Sequence, residues 1–213
     1  MTETPERLPL FPLPMMVLPG EVSALHIFEP RYREMIAHCR AEPNPRGDFV
    51  IQYEEDDRSA AYATAVRITK ILEEHDEGMV DLLVEGRRRV EVLDRVRFHL
   101  YHSADTRPYE DEETDWDDDL ATRVYALHRQ LLVTVTGDEP PDSFYNREAG
   151  IAFKVAACAG VDNRTRLHLL RSTSETERLR IVETHLQDLL PKARDLLPRL
   201  HTIAGNFALT QAV

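Results

Sequence analysis

The sequence predicts an α+β protein in which the strands come first and the helices second. Three observations carry that expectation. Apolar side chains fall on alternate positions at Val80, Leu82, Val84, Val90, Val92, Val96, Phe98 and Leu100, the period of a strand with one buried face. After Ser103 the spacing changes to threes and fours at Leu120, Val124, Leu127, Leu131 and Val135, the stripe of an amphipathic helix. A second stripe, Leu179, Val182, Leu186, Leu189, Ala193, Leu196 and Leu200, closes the chain.

The elements follow in order. Leu8 to Pro14 is too rich in proline for a helix or a central strand, but its alternate residues suit an extended edge. Strands are predicted at Val22 to Ile27, Phe49 to Tyr53 and Ala63 to Leu72. A short helix starts at Pro30, with Tyr32, Met35, Ile36 and Cys39 on its apolar face. Asp76-Glu77-Gly78 suits a hairpin turn, and Gly86 marks a bulge or turn in the strand run beyond it. The odd positions of that run, among them Arg87 and Arg89, belong to its watered face.

Thr114 with Asp117, and Ser174 with Glu177, have the spacing of capping pairs. Between them a helix is expected from about Ser143 to Ala159, and a short one after Asn163. Pro191 should kink or restart the last helix, because its ring clashes with the carbonyl of Gln187. The boundaries that result are a β-rich part over 1–104, an acidic junction over 105–119 and a helical part over 120–213.

The chain has 213 residues, 42% of them hydrophobic and 30% charged, which excludes disorder and glycine-rich low complexity. Its formal charge of −12 opposes phosphate backbones and anionic membranes. Asp105 to Asp119 holds nine acids and one base, so it supplies −8 of that total. Two cysteines without a CxxC spacing fit a reducing compartment, and no stretch has the length and apolarity of a membrane span, so the chain reads as cytoplasmic.

Motifs of chemistry are missing from the sequence. There is no Walker loop, GxGxxG, GxSxG, HExxH or SxxK. Cys39 beside His38 reads as a buried structural thiol, since adjacent helical residues do not face each other. His99 and His102 fall on opposite faces of a strand, so they do not share an ion. No metal, cofactor or catalytic residue is predicted. Arg87, Arg88 and Arg89 form the one basic run, without the interleaved aromatics of an RNA platform.

Leu8 to Leu13, Val17-Leu18-Pro19-Gly20 and the run from His26 through Phe28-Glu29-Pro30-Arg31-Tyr32 to Met35 resemble the opening of the N-terminal domain of ATP-dependent Lon proteases. The Phe28 to Tyr32 wording is most similar to stand-alone bacterial Lon-domain proteins, and Asp81 to Val90 resembles the family's second signature. Departures stand at Leu18, Ala24 and Ala63, where the family often has phenylalanine, proline and glycine. The resemblance implies a PUA-like, partly open antiparallel β-barrel with a short helix, followed by a helical bundle. It also implies a non-enzymatic module that binds unfolded polypeptide or a protein partner, a resident Lon protease among them.

The candidate binding residues are Phe28, Glu29, Arg31, Tyr32, Glu85, Arg87, Arg88 and Arg89. Phe28 and Tyr32 are expected to pack the short helix on the barrel, and Glu29, Arg31 or Arg33 to pair with the Glu85 to Arg89 stretch. Two alternatives are RNA or a nucleotide derivative bound on the barrel, and a small molecule bound between the two parts.

Overall fold

Alternating and proline-punctuated segments give seven strands in the computed structural model, which describes residues 5–41, 47–56, 58–97, 99–112, 116–146 and 150–210, with side chains through 196. They are β1 (Glu6–Leu13), β2 (Val22–Ile27), β3 (Asp48–Glu55), β4 (Arg58–Ser59), β5 (Tyr62–Glu74), β6 (Val80–Arg97) and β7 (His102–Pro108). The helices are α1 (Pro30–Arg40), α2 (Asp118–Thr136), α3 (Ile151–Cys158), α4 (Asn163–Arg171) and α5 (Glu175–Thr210). The α+β class and its order, barrel first and helices second, are as the sequence predicts. Contacts divide the chain into two units, one of residues 1–112 and 162–173 and the other of 113–161 and 174–213. The short helix α4 therefore belongs with the strands.

In the first unit β1, β7, β6, β5 and β3 pair in turn, and β3 returns to β1, so five strands form a ring. Every pairing is antiparallel except the last, where Leu10 to Leu13 run parallel to Val50 to Tyr53. β1 is therefore flanked on both sides rather than lying at an edge. Its Glu6 to Leu10 half pairs with β7 and its Leu10 to Leu13 half with β3, so every position but Leu10 has a single neighbouring strand. That division accommodates Pro9 and Pro12, which cannot donate to a ladder.

One apolar cluster lies on each face of the sheet. Phe11, Phe49, Ile51, Val66, Leu82 and Val84 gather with Tyr32, Met35, Ile36 and Cys39 of α1. Leu8, Leu10, Val50, Ala63, Ala65, Val90 and Ala104 form the other. β6 is one strand of 18 residues, not two. Its ladder slips opposite Ala65 and Val66, which pair with Arg88 and Gly86, so Arg87 is the bulged residue. Gly86 has a separate duty. Its N–H donates to the Glu21 carbonyl at 2.9 Å and its carbonyl accepts from Gly20 N–H at 2.8 Å, so the Leu18 to Glu21 backbone crosses directly over it. A Cβ there would stand 2.1 Å from the Leu18 carbonyl oxygen.

α4 is tied to the barrel by polar side chains. Arg166 holds both oxygens of Glu21 at 2.6 and 3.0 Å and donates to the Met16 carbonyl. Arg89 donates to the carbonyls of Leu170 and Ser172 at the end of the helix, and pairs with Asp111. Arg89 is thus buried, at 7% exposure, and not on the watered face. These carbonyls, unsatisfied at a helix end, are what draws the guanidinium inward.

The second unit packs α5 against α2 and α3. Asp117 caps α2 by accepting from Leu120 N–H, while Thr114 lies outside the described residues. Ser174 accepts from Glu177 N–H and opens α5 as predicted. The helix expected over 143–159 begins later. Asp142–Tyr145 is a single tight turn, Gly150 takes a left-handed φ of 83°, and α3 starts only at Ile151.

α5 continues through Pro191 and Pro198 as one helix of 36 residues, against the expected restart. Its buried stripe is Leu179, Val182, Leu186 and Leu190, which ends just before the proline, and the helix continues past one lost hydrogen bond. Leu196 is exposed, and Leu200 lies outside the described side chains. No helix among the described residues is long and apolar enough to cross a membrane.

Candidate functional site

β2 joins the sheet through one edge. It pairs antiparallel with the first half of β6, from Val22 opposite Glu85 to Ile27 opposite Val80, and no other described strand lies beside it. The Gly86 N–H to Glu21 carbonyl bond fixes the phase of that ladder. In an antiparallel pair the residues that exchange backbone bonds alternate with those that do not. Ser23, Leu25 and Ile27 therefore spend their backbone groups on β6, while Val22, Ala24 and His26 turn theirs to the open edge.

The side chains sort themselves in the same alternation. Leu25 and Ile27 are buried, whereas Val22, Ala24 and His26, and Phe28 just beyond the strand, are exposed. Val22 and Phe28 stand at 58% and 57% exposure. Across the outer face Val22, Glu85 and Arg67 form one lateral row, Ala24, Leu83 and Lys70 the next, and His26, Asp81 and Glu73 the third. Leu72, 47% exposed, adds a further apolar group on β5. Exposed apolar residues on an unpaired strand edge are a template for another strand, which chains avoid unless it serves them.

Past Phe28 the chain turns into α1, and between α1 and the β5–β6 turn lies an open groove of about 510 Å³. Arg33, Glu34 and Arg40 line its helical side, and Glu74, His75 and Met79 the other. Arg40 and Glu74 meet there at 2.8 Å. Both signs of charge with an apolar floor suit a peptide better than a polyanion.

The eight residues singled out from the sequence do not converge on one spot. Phe28 is exposed and stacked on the His26 ring at 5.7 Å, so it does not pack α1 on the barrel. Tyr32 does, buried at 5% with its ring 4.2 Å from that of Phe11. The Arg31 guanidinium lies over that ring, 4.5 Å from its centroid, and pairs with Glu29 at 2.8 Å. Glu85 pairs with Arg87 two residues on, at 2.9 Å, so the expected pairing between the two motifs is replaced by local pairs within each. Arg88 bridges Glu6 and Asp48, and Arg89 is the buried anchor of α4. The arginine run is therefore matched, residue by residue, with carboxylates of its own chain.

Sequence reasoning missed a further group. His26 Nδ1 lies 2.6 Å from Asp81 Oδ1, and His75 Nε2 lies 2.7 Å from Asp81 Oδ2. The two imidazoles hold the Asp81 carboxyl below its usual range, and the same bond to Asp81 raises His75. Positions 26, 75 and 81 match no metal or catalytic spacing. Only the opposed register of His26 and Asp81, and the fold-back at Asp76–Gly78, bring them together. Cys39 is inert by contrast, since burial foremost pushes its thiol up to about 12.

The first unit is thus a β-barrel with one strand edge unflanked by any other described strand and a charged groove beside it. The family model of the ATP-dependent protease La (LON) substrate-binding domain matches residues 7–188, and the chain belongs to that family. Among solved structures it is similar to a Lon N-terminal domain protein from Xanthomonas campestris, at 26% identity and a TM-score of 0.65, covering 82% of this chain and 95% of that one. The N-terminal domain of the Mycobacterium avium complex Lon protease shares the fold at 19% identity, with a TM-score of 0.64 and coverage of 86% and 99%. No curated protein matches the chain.

Proposed function

We propose that the protein is a passive, ATP-independent holder of polypeptide, which takes an extended segment of an unfolded or partner chain as an added strand along β2. The observation that carries this reading is the phase of β2. Its outward amides and carbonyls at Val22, Ala24 and His26 lie beside exposed Val22 and Phe28, so one edge offers main-chain hydrogen bonds and apolar contact together. The bound segment would run on toward the groove between α1 and the β5–β6 turn. No chemical step is needed, and none of the described residues is assigned one. The cytoplasm is the compartment we assign, and a resident Lon protease is a partner to which such a segment would pass.

RNA is the poorer occupant, because Arg87, Arg88 and Arg89 each face a carboxylate of this chain. Each would have to be freed before it met a phosphate.

Fluorescence anisotropy with a labelled, permanently unfolded polypeptide tests the reading. The wild-type chain is expected to bind at micromolar concentration. Ala24→Pro removes an outward donor without touching the β6 ladder and should weaken binding about 10-fold or more, which is about 1.4 kcal/mol. Phe28→Lys should act in the same direction. Equal affinity in wild type and both variants would overturn strand addition on this edge.

A further inference from the structure

We propose that His26, His75 and Asp81 form a binding site for a divalent transition-metal ion of the zinc type. The three residues come from β2, from the loop that follows β5 and from β6. One ligand atom from each lies within 4.8 Å of the other two. The ligands of a tetrahedral ion at about 2.1 Å stand roughly 3.4 Å apart, so rotations of the side chains bring the set onto one ion. Two imidazole nitrogens and a carboxylate oxygen select zinc, cobalt or copper, and disfavour magnesium and calcium, which take oxygen.

The backbone already holds the set in place. His26 and Asp81 are directly opposed in the β2–β6 ladder. His75 is fixed by its N–H donating to the Met79 carbonyl at 2.9 Å, across a turn in which Glu77 and Gly78 both take left-handed φ values of 62° and 77°. A non-glycine residue in that region is uncommon and marks a turn under constraint. The second ring nitrogen of His75 lies 3.7 Å from a Glu73 carboxylate oxygen, on the side where metal-bound histidines commonly have a carboxylate partner. His26 is more than half exposed, so the fourth position opens to solvent on the outer face of β2 and β6.

A second group, Glu34, His38 and His99, has similar spacing. His38 there is committed to the Tyr101 hydroxyl at 2.8 Å, and its ring packs against that of His99 at 4.9 Å. It serves as the control.

The test is calorimetric titration of the untagged full chain with zinc chloride, together with cobalt absorption as a report of coordination. Wild type is expected to bind one zinc at this site and to give the intense visible bands of tetrahedral cobalt. His75→Gln and Asp81→Asn should each weaken zinc by about 10-fold or more and bleach those bands, while His38→Gln leaves both unchanged. Circular dichroism checks that each variant is folded, and His26→Gln supplies a third ligand variant if one is not. Zinc binding that survives His75→Gln and Asp81→Asn, that is lost in His38→Gln alone, or that is absent from the wild type would overturn the proposal.

Discussion

Gly86 shows how a single missing Cβ places the candidate edge. Glycine inside a strand ordinarily costs about 0.5–1 kcal/mol relative to alanine, so Gly86→Ala on propensity alone would stabilise β6. The Leu18 carbonyl 2.1 Å from the would-be Cβ reverses the sign, because the obstruction is backbone and cannot rotate away. Gly86→Ala should therefore lose about 3 kcal/mol or more in urea unfolding. A neutral or stabilising result would mean that the Leu18 to Glu21 crossing is not as close as described. His128 offers a test in the other unit. It is fully buried on α2, bonded through Nδ1 to the Tyr145 hydroxyl, and burial lowers its pKa to about 4. The unfolded chain takes up a proton near pH 6.5 and the folded one does not. The stability of the neutral ring is thus complete above pH 6.5 and lost as pH falls toward 4, by about 3 kcal/mol in all. Urea midpoints over that range should fall more steeply for wild type than for His128→Gln. Parallel slopes would contradict the assignment.

At the scale of elements, α4 is held by polar tethers as well as by its buried Leu169 and Leu170. Arg89 satisfies two carbonyls at its end and pairs with Asp111. Arg89→Leu should cost about 3 kcal/mol and speed amide exchange across α4 while the β5 and β6 amides keep their protection. Uniform loss of protection would instead make Arg89 a general core residue. Much of this architecture was legible in the sequence. The period of two in β6, the cap at Ser174 and the apolar face of α1 all follow from local residue order, whereas Asp117, expected as the partner of a Thr114 cap, is itself the cap of α2. What was not legible depends on partners distant in sequence. Alternation alone put Arg89 outward, because nothing in β6 announces the carbonyls of residues 170 and 172. The prolines of β1 suggested an edge, yet the strand is shared between two partners. Pro191 suggested a kink or restart, yet the helix runs on past it although its buried stripe ends at Leu190 among the described side chains. The same limit hid the His26, His75 and Asp81 group, which exists only once β2 is in register with β6.

For the whole molecule, each unit has its own buried apolar residues. The helical unit is read from stripes of leucine and from a buried pair, Glu175 with Arg178 at 2.5 Å. The barrel unit carries both candidate sites, the free edge of β2 and the histidine pair at its end. Among its motif residues Tyr32 packs α1 against Phe11, Arg89 anchors α4, and Glu29 and Glu85 each hold a neighbouring arginine. A surface that works by main-chain hydrogen bonds leaves little trace in side-chain identity, which is why the motif marks the fold more clearly than the site. The most direct test of the account is amide hydrogen exchange with and without an unfolded polypeptide. Strand addition on β2 predicts new protection at the amides of Val22, Ala24 and His26, with Ser23, Leu25 and Ile27 already protected in the free protein. Protection that appears on the helices of the second unit or along β1, and leaves β2 unchanged, would contradict it.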